Sequence, residues 1–561
     1  MRIHYFRLHT VLLALILGGF LRLEAQENTR DRGGSGVADT FENPPRLVVG
    51  IVVDQMRYDY LTRFWDHYGK KGFKRLIGEG FFGKNHHFGY APTSTGPGHA
   101  SVYTGTTPSG HGIIGNNWYD KYTDSGVYCV GDTSKTSIGT TTNAGQHSPH
   151  RLMTTTITDQ LRLHYQMRSK VISVAIKDRG AVLPGGHTAN AAYWFEGGAS
   201  GGWISSSHYM DALPAWVQEF NASNPAERYR QVWKLSHKPE SYVESGPDNV
   251  PYEGVFTGEV APVFPHDLPA LWAANGGYDI LKATPFGNSL TLDFALEALE
   301  KEGLGVDEIT DFLAISFSST DYVGHRYGVN SKEVQDTYIR LDEELERLLK
   351  ELDKSVGEGA YTVFLTADHG VSPVPAYLAD AGIPAGYLYK NKMRERLGEF
   401  MSFTYGTTDL LKGFSNNQLF LDHDLMRNLE LDPEDVRTQF AEELLKYEGI
   451  YKVYTSGQMR NGSFTEGIEA ILQNGYNQKR SGDVILVPPP AHIDYSKTGT
   501  THGSPHIYDT HVPLIFYGKG VVPGSTVRKT YIRDIAPTLA VMLGIAFPNG
   551  TTGTAIPEVL E

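Results

Sequence analysis

The sequence has little cysteine and no clusters of basic residues. Its single cysteine, Cys129, excludes an intramolecular disulfide, and the flanking Tyr128 and Val130 supply no base that would activate a thiol, so a buried, inert thiol is expected. The 50 Lys and Arg residues are outnumbered by 64 Asp and Glu residues, which gives a net charge of −14. Because the basic residues are dispersed along the chain, no nucleic-acid-binding surface is expected.

Long apolar runs are also lacking, apart from a short one near the N-terminus. Arg2 and Arg7 precede the apolar residues 11–20, which are too few to span a bilayer, and a Leu-Glu-Ala sequence ends at Ala25. This arrangement predicts a signal peptide over residues 1–25 that is cleaved near Ala25, and therefore a periplasmic or secreted protein. No cysteine lies near the cleavage site, so no membrane anchor is expected.

After a polar, Gly-rich lead-in at residues 26–45, which is predicted to be flexible, residues 46–561 predict one α/β domain. Nearly continuous apolar runs without alternation are typical of strands buried on both faces of a parallel sheet. Six such runs are present: Leu47–Val53, Val171–Ile176, Phe312–Phe317, Tyr361–Thr366, Asp483–Pro488 and Val512–Tyr517. The predicted fold is a three-layer α/β/α sandwich with a mainly parallel central sheet. Segments 184–286 and 374–482 interrupt the alternation of strands and helices, and are predicted to be cap-forming insertions.

Helical patterns lie between the predicted strands. The clearest covers Ser331–Ser355, where apolar residues recur at three- and four-residue spacing and Asn330 is the expected N-cap, with Glu333 completing a capping box. Shorter amphipathic helices are predicted over Tyr531–Leu543 and Pro433–Tyr447.

Carboxylate and imidazole side chains follow several of the predicted strands. Ligands bind outside the carboxyl ends of strands in open α/β sheets, so these side chains are expected at one edge of the sheet. They are Asp54, Asp321, His325, Asp368, His369 and His502. Each could separately be a turn former, a helix cap or a satisfied polar residue, but that does not explain their shared location. Six nitrogen and oxygen donors are too many for one tetrahedral zinc and suit two metal ions, and the histidines favour zinc over magnesium or calcium.

A cluster of hydroxyl groups is a candidate source of a nucleophile. The stretch PTSTGPGHAS, at residues 92–101, places Ser94 and Thr95 before a Gly-Pro-Gly turn that is predicted to open a helix. An anion is favoured at a helix N-terminus, which suits an attacking oxygen, although residue spacing alone does not choose between Ser94 and Thr95. Most such clusters are plain turns, so the hypothesis depends on the metal ligands nearby.

Two cations follow the second predicted strand. Lys177 and Arg179 in IKDRG are two residues apart, so in extended backbone they point to the same side. The pair suits the nonbridging oxygens of a phosphoryl group. A solvated basic strand end is the alternative.

Taken together, the motifs VVDQMR, PTSTGPGHAS, HGIIGNNWYD, IKDRG, STDYVGHRYG, TADHG, GTTHGSP and YIRDIAPTLAVMLGI resemble the alkaline phosphatase superfamily. The resemblance runs in order from about Val48 to Phe547 and is strongest to the phosphate-irrepressible, PafA-type alkaline phosphatases. It implies a phosphate monoester hydrolase of broad specificity that uses two Zn²⁺ ions per chain and a phosphothreonine intermediate. Small-molecule phosphate monoesters and inorganic phosphate are the implied partners, and a monomer is favoured.

The resemblance also implies a role for each site residue. Thr95 is the nucleophile, and Asn116, Lys177 and Arg179 bind the phosphoryl oxygens. One zinc is held by Asp321, His325 and His502, and the other by Asp54, Asp368 and His369 together with the Thr95 oxygen. Formylglycine sulfatases are excluded because Gly-Pro-Gly-His follows Thr95. Nucleotide pyrophosphatases/phosphodiesterases share these motifs and are the main alternative, and a non-catalytic phosphate- or metal-binding protein is a remote one.

Overall fold

Five of the six predicted strands lie in one large sheet. The structure is a computed structural model that describes residues 43–560. Its strands are β1 (Leu47–Val53), β2 (Phe81–His87), β3 (Asn117–Asp120), β4 (Ser125–Tyr128), β5 (Ser137–Ile138), β6 (Val171–Ala175), β7 (Ala191–Glu196), β8 (Gly202–Ser206), β9 (Val232–Trp233), β10 (His266–Asp267), β11 (Asp311–Phe317), β12 (Tyr361–Thr366), β13 (Gly386–Tyr387), β14 (Leu411–Ser415), β15 (Gln418–Leu421), β16 (Lys452–Thr455), β17 (Val484–Val487), β18 (His492–Ile493), β19 (His511–Gly518), β20 (Gly524–Thr526) and β21 (Thr530–Tyr531).

The α-helices alternate with these strands along the chain. They are α1 (Tyr60–Arg63), α2 (Phe73–Glu79), α3 (Thr95–Thr104), α4 (Pro108–His111), α5 (Ile157–His164), α6 (Asp178–Gly185), α7 (Ala215–Ala222), α8 (Leu268–Leu271), α9 (Pro285–Lys301), α10 (Ser319–Tyr327), α11 (Lys332–Leu352), α12 (Pro375–Asp380), α13 (Lys390–Tyr405), α14 (His423–Asn428), α15 (Pro433–Leu444), α16 (Ser456–Asn461), α17 (Gly467–Gly475), α18 (Ile507–Thr510), α19 (Ile535–Leu543) and α20 (Pro557–Leu560).

The large sheet has the strand order β20–β2–β19–β12–β1–β11–β6–β7–β8–β5, with β21 beside β2. Its centre, β12–β1–β11–β6–β7, is parallel throughout, and β19 and β8 flank this centre as antiparallel strands. Strand β1 is buried along its whole length, which requires cover on both faces. The predicted α/β fold with a mainly parallel central sheet is therefore confirmed.

The sixth predicted strand is in a different place from the one expected. The DVILV run forms β17, which pairs antiparallel with β15 and β16 in a separate four-stranded sheet. Residues of segment 374–482 supply the other three strands and, with β17, a separate apolar core. A short apolar run buried on both faces has the same composition in either kind of sheet, and its pairing partners depend on distant residues.

Other departures are local. The N-cap of α11 is Ser331 rather than Asn330, because the Ser331 side chain accepts a hydrogen bond from the Val334 amide at 3.2 Å. Segment 184–286 contributes β7 and β8 to the large sheet. In residues 43–560 no helix combines the length and apolar character needed to cross a membrane, and the predicted signal peptide lies outside this part of the chain.

Candidate active site

The three predicted aspartates meet at one edge of the large sheet. Asp54 directly follows β1, whose neighbours are β11 on one side and β12 on the other. Asp321 lies in the first turn of α10, just after β11, and Asp368 follows β12 by two residues. Because the three strands are adjacent and parallel, their carboxyl ends deliver the three carboxylates together.

One group of donors consists of Asp321, His325 and His502. Asp321 and His325 are four residues apart on α10 and therefore share a face of the helix. The His325 Nε2 atom lies 3.2 Å from Asp321 Oδ1, and the His502 Nε2 atom lies 3.7 Å from the same oxygen. This group could hold a metal ion.

The second group consists of Asp54, Asp368 and His369, all fully buried. The His369 Nε2 atom lies 3.5 Å from Asp54 Oδ1 and 3.6 Å from Asp368 Oδ2. The ring of His369 stacks on that of His502 with centroids 3.5 Å apart, so the two groups are neighbours. This group too could hold a metal ion.

Backbone carbonyls orient all three imidazoles. The Nδ1 atom of His325 is 2.7 Å from the Thr500 oxygen, and that of His502 is 2.7 Å from the Thr93 oxygen. The Nδ1 atom of His369 lies 2.9 Å from the Gly370 oxygen. Donation from Nδ1 leaves Nε2 as the lone-pair nitrogen, which is the usual support of a metal-binding histidine.

Three donor atoms of the second group make no hydrogen bond to the described residues. Asp54 Oδ1, Asp368 Oδ2 and His369 Nε2 are buried without a hydrogen bond to any described residue. Such atoms are costly to bury unless a ligand satisfies them. Burial lowers the pKa of His369 to about 4, which keeps the ring neutral at pH 7. Burial and the charge of Asp54 raise the pKa of Asp368 well above its usual range. The donors therefore fit a metal cation, which would satisfy these atoms and offset the negative charge.

Lys177 lies between the two groups. Lys177 lies between the end of β6 and the start of α6. Its ammonium lies 2.7 Å from Asp54 Oδ2 and 2.5 Å from Asp321 Oδ2. Burial alone would lower the pKa of the Lys177 ammonium, but the carboxylates of Asp321 and Asp54 outweigh it and raise the pKa. The predicted cation is therefore held inside the cluster of carboxylates.

Thr95 is the first residue of α3 and is 1% exposed. The close approach of α3 to the sheet depends on Gly98, since a Cβ there would lie 2.1 Å from the Asp368 backbone oxygen. The Thr95 Oγ1 atom lies 3.5 Å from an Arg179 nitrogen, whereas the neighbouring Ser94 hydroxyl has no partner among the described residues. Both hydroxyl groups lie at the site.

Asn116 approaches the same helix end from the loop before β3. Its side-chain oxygen accepts a hydrogen bond from the Gly96 amide at 2.7 Å. The oxygen is thereby fixed, and the side-chain NH₂ group is left as the donor. All ten predicted site residues therefore lie in one region.

Sequence reasoning missed the support behind Arg179. An Arg179 nitrogen lies 3.2 Å from the Tyr128 hydroxyl, which donates to Asp178, and Asp178 also lies 3.1 Å from His147 Nε2. The only sign of this support in the sequence was the position of Asp178 between the two predicted cations in IKDRG. Gln55 was also missed, although its side chain donates to Asp321 Oδ1 at 2.6 Å.

A cavity of about 330 Å³ opens beside the first donor group. Ser94, Asn116, His325 and His502 are among the residues that line it. Other lining residues come from segment 374–482 and from the chain around β18.

Fold and site together define an α/β enzyme of the alkaline phosphatase superfamily with two candidate metal-ligand groups. The chain belongs to the type I phosphodiesterase / nucleotide pyrophosphatase family, which matches residues 48–509. The resemblance found in the motifs is thus confirmed.

Several relatives are similar over nearly the whole chain. A calcium-transporting ATPase of Myroides odoratus is 45% identical over 522 residues, covering 92% of this chain and 95% of the relative. Alkaline phosphatase PhoV of Synechococcus elongatus is 44% identical over 520 residues (92% and 93%). Alkaline phosphatase PafA of Elizabethkingia meningoseptica is 42% identical over 520 residues (92% and 94%).

Solved structures agree with these sequence comparisons. The crystal structure of wild-type PafA superposes with a TM-score of 0.89 at 41% identity, covering 92% of this chain and 99% of that chain. A murine ectonucleotide pyrophosphatase/phosphodiesterase 5 has a TM-score of 0.51 at 12% identity, over 89% and 95% of the two chains, and so shares the fold alone.

Proposed function

We propose that this protein is an exported phosphate monoester hydrolase that uses two zinc ions and a phosphothreonine intermediate. The observation that carries the proposal is the convergence of two metal-ligand groups, a helix-terminal hydroxyl, the buried Lys177 and the partly buried Arg179 at one sheet edge. The alkaline phosphatases PhoV and PafA, which are 44% and 42% identical to the chain, support the monoesterase class.

The zinc ions, when bound, would supply Lewis-acid activation of the attacking and leaving oxygens. Asp321, His325 and His502 would hold one ion, and Asp54, Asp368 and His369 the other. The nucleophile is Thr95, whose oxygen attacks phosphorus in line while the bond from phosphorus to the alcohol oxygen breaks. The Thr95 hydroxyl gives up its proton to water as it attacks, and the leaving alkoxide takes up one proton from water, so the alcohol leaves neutral and the two proton transfers balance. A water oxygen then attacks the phosphothreonine, and the Thr95 hydroxyl and inorganic phosphate are regenerated.

The remaining residues bind the transferred group. Lys177 and Arg179 offer positive charge to the nonbridging oxygens, and Asn116 offers its NH₂ group as a neutral donor. A monoester dianion carries three such oxygens and two charges, whereas a diester carries one charge and a second substituent. Monoesters therefore gain more from the two cations, which favours this class over the diesterase alternative.

The test compares matched aryl phosphate mono- and diesters on the wild type and on a Lys177→Ala/Arg179→Ala variant. The wild type should prefer the monoester, and the variant should lose far more monoesterase than diesterase activity. A wild-type preference for the diester, or an equal loss of both activities, would establish the phosphodiesterase alternative instead.

The nucleophile is tested separately with Thr95→Ala and the matched control Ser94→Ala. Thr95→Ala should lower kcat by several orders of magnitude while zinc content and phosphate binding persist. If Ser94→Ala has the large effect, the nucleophile has been misassigned. Loss of turnover in Thr95→Ala with phosphate binding retained separates a catalytic role for Thr95 from a purely phosphate-binding protein.

Export, zinc content and domain organisation are further parts of the proposal. We infer cleavage after a signal peptide at residues 1–25, release to the periplasm, and a catalytic domain over 46–561. Its insertions lie near 184–286, a segment that also adds β7 and β8 to the large sheet, and near 374–482. N-terminal sequencing of protein recovered from the periplasm should begin near residue 26. Metal analysis of that protein should find about two zinc ions per chain.

A further inference from the structure

A cavity of about 330 Å³ lies beside His325 and His502. We propose that it is a subsite for hydroxylated alcohols, so that phosphate monoesters of sugars and small polyols are the preferred substrates. The inference rests on the proposed function: because the Thr95 oxygen is assigned to the group of Asp54, Asp368 and His369, the leaving oxygen falls to the group that contains these two histidines. A second cavity touches His325 but not His502, Ser94 or Asn116, so it is less well placed for the alcohol.

The cavity has the size of a small-ligand site. Its volume of about 330 Å³ lies at the lower end of the range for small-ligand pockets, which run from about 300 to 1,000 Å³. A monosaccharide or shorter polyol therefore suits it better than a large organic group.

The residues that line the cavity include an ion pair. Lys390 is the first residue of α13, and its ammonium lies 2.6 Å from Asp494 Oδ2. The two side chains are 27% and 37% exposed, so both retain hydrogen-bonding capacity toward the cavity. Neighbouring hydroxyl groups of a polyol match such a pair, since one can accept from the ammonium and the next can donate to the carboxylate.

The pair is held in place by the backbone around it. Strand β13 pairs in parallel with β18, and the Leu388 amide donates to the Ile493 oxygen at 2.8 Å. These contacts fix the two segments that carry Lys390 and Asp494. A preformed pair loses less side-chain entropy on binding than two free side chains would.

A third polar group comes from the tip of the β14–β15 hairpin. Asn416 and Asn417 have φ angles of 52° and 56°, which asparagine tolerates better than most residues. The Asn416 side chain donates to the Asn117 oxygen at 2.7 Å and anchors the tip next to the Asn116 loop. Asn417 lines the cavity, and its side-chain amide makes no hydrogen bond to the described residues. This side-chain amide can therefore bind a hydroxyl group.

The residues that line the cavity disfavour other leaving groups. Among the described residues that line the cavity there is no Phe, Tyr or Trp, so a nucleobase would find no large ring to stack on. Lys390 is neutralised by Asp494, so a second anionic group gains little there. A neutral, hydroxyl-rich alcohol is the class that remains.

The test compares a hexose 6-phosphate with cyclohexylmethyl phosphate, a carbocyclic ester of similar size without the hydroxyl groups. The ratio of their kcat/KM values is measured for wild type, Lys390→Met, Asp494→Asn and the control Lys392→Met, an exposed lysine on the same helix. Because the intrinsic reactivity of each ester is the same for every variant, a change in the ratio reports the subsite. Loss of a charged hydrogen bond should lower the ratio about tenfold in both subsite variants, and the control should match the wild type.

The outcomes separate the two proposals. If both esters are hydrolysed but the ratio is the same for all four proteins, the phosphatase function stands and the subsite is wrong. If the Lys392→Met control falls as far as Lys390→Met, the effect is general to the helix and the subsite is also wrong. If neither ester is hydrolysed, the proposed function fails and the subsite fails with it.

Discussion

Replacement of the buried Lys177 by methionine should destabilise the metal-free protein far more than the zinc-loaded protein. The Lys177 ammonium lies 2.7 Å from an Asp54 oxygen and 2.5 Å from an Asp321 oxygen, and each of these carboxylates belongs to a different donor group. All three side chains are at most 4% exposed. Methionine keeps an unbranched side chain of nearly the same length and removes the ammonium group.

The magnitude follows from burial. Loss of one partner of a buried ion pair costs about 3–5 kcal/mol, because the remaining charge is left uncompensated. In metal-free protein the Lys177→Met variant should therefore lose about 3–5 kcal/mol of unfolding free energy. In zinc-loaded protein the metal cations compensate the same carboxylates, so we expect a loss below about 1 kcal/mol. By linkage, zinc should bind the variant more tightly, by roughly 30-fold or more.

The assay is urea unfolding of wild type and variant, each with saturating zinc and after removal of metal by a chelator, together with a zinc titration. Lys84→Met is the control, since Lys84 is exposed, and it should change neither quantity. Equal destabilisation in the two metal states, or weaker zinc binding by the variant, would refute the view that Lys177 and the metals compete for one set of carboxylates.

Three further predictions follow from the same structure. Asp178→Asn should lower kcat/KM roughly 10- to 100-fold through Arg179, as loss of a group that orients a ligand does, and zinc content should be unchanged. If the losses of kcat/KM simply add in the Asp178→Asn/Arg179→Ala double variant, this coupling is contradicted. Removal of zinc with a chelator should abolish activity and lower the unfolding midpoint, and added zinc should restore both; activity that survives complete removal would exclude a metal-dependent reaction. His266 is buried, which alone would lower the pKa of its ring, but hydrogen bonds with Glu259 and Glu333 outweigh burial and raise this pKa to about 9. The resulting stabilisation of the folded state, about 3 kcal/mol at most, is fully present below about pH 6.5 and is lost as the pH rises through 9. His266→Gln should therefore be destabilising at pH 6 and nearly neutral at pH 10. Equal destabilisation at both pH values would argue against a charged His266.

Local sequence patterns determined much of the fold. The strand runs at Leu47–Val53 and Tyr361–Thr366 were predicted with the bounds that the structure has, because a run buried on both faces must be continuously apolar. The fold class followed from the alternation of such runs with helices. The positions of Asp54, Asp321 and Asp368 after these strands followed too, since adjacent parallel strands end at the same edge.

Only the tertiary structure decided the features that depend on distant residues. The DVILV run pairs with β15 and β16 rather than with the central strands, because burial and composition do not specify a partner. Lys177 lies between two carboxylates, and Tyr128 supports Arg179. Both arrangements depend on contacts between residues that are at least 50 positions apart. Residue types and their local spacing were sufficient to identify which side chains carry the chemistry. How those side chains neutralise, orient and enclose one another depends on contacts that no short stretch of sequence contains.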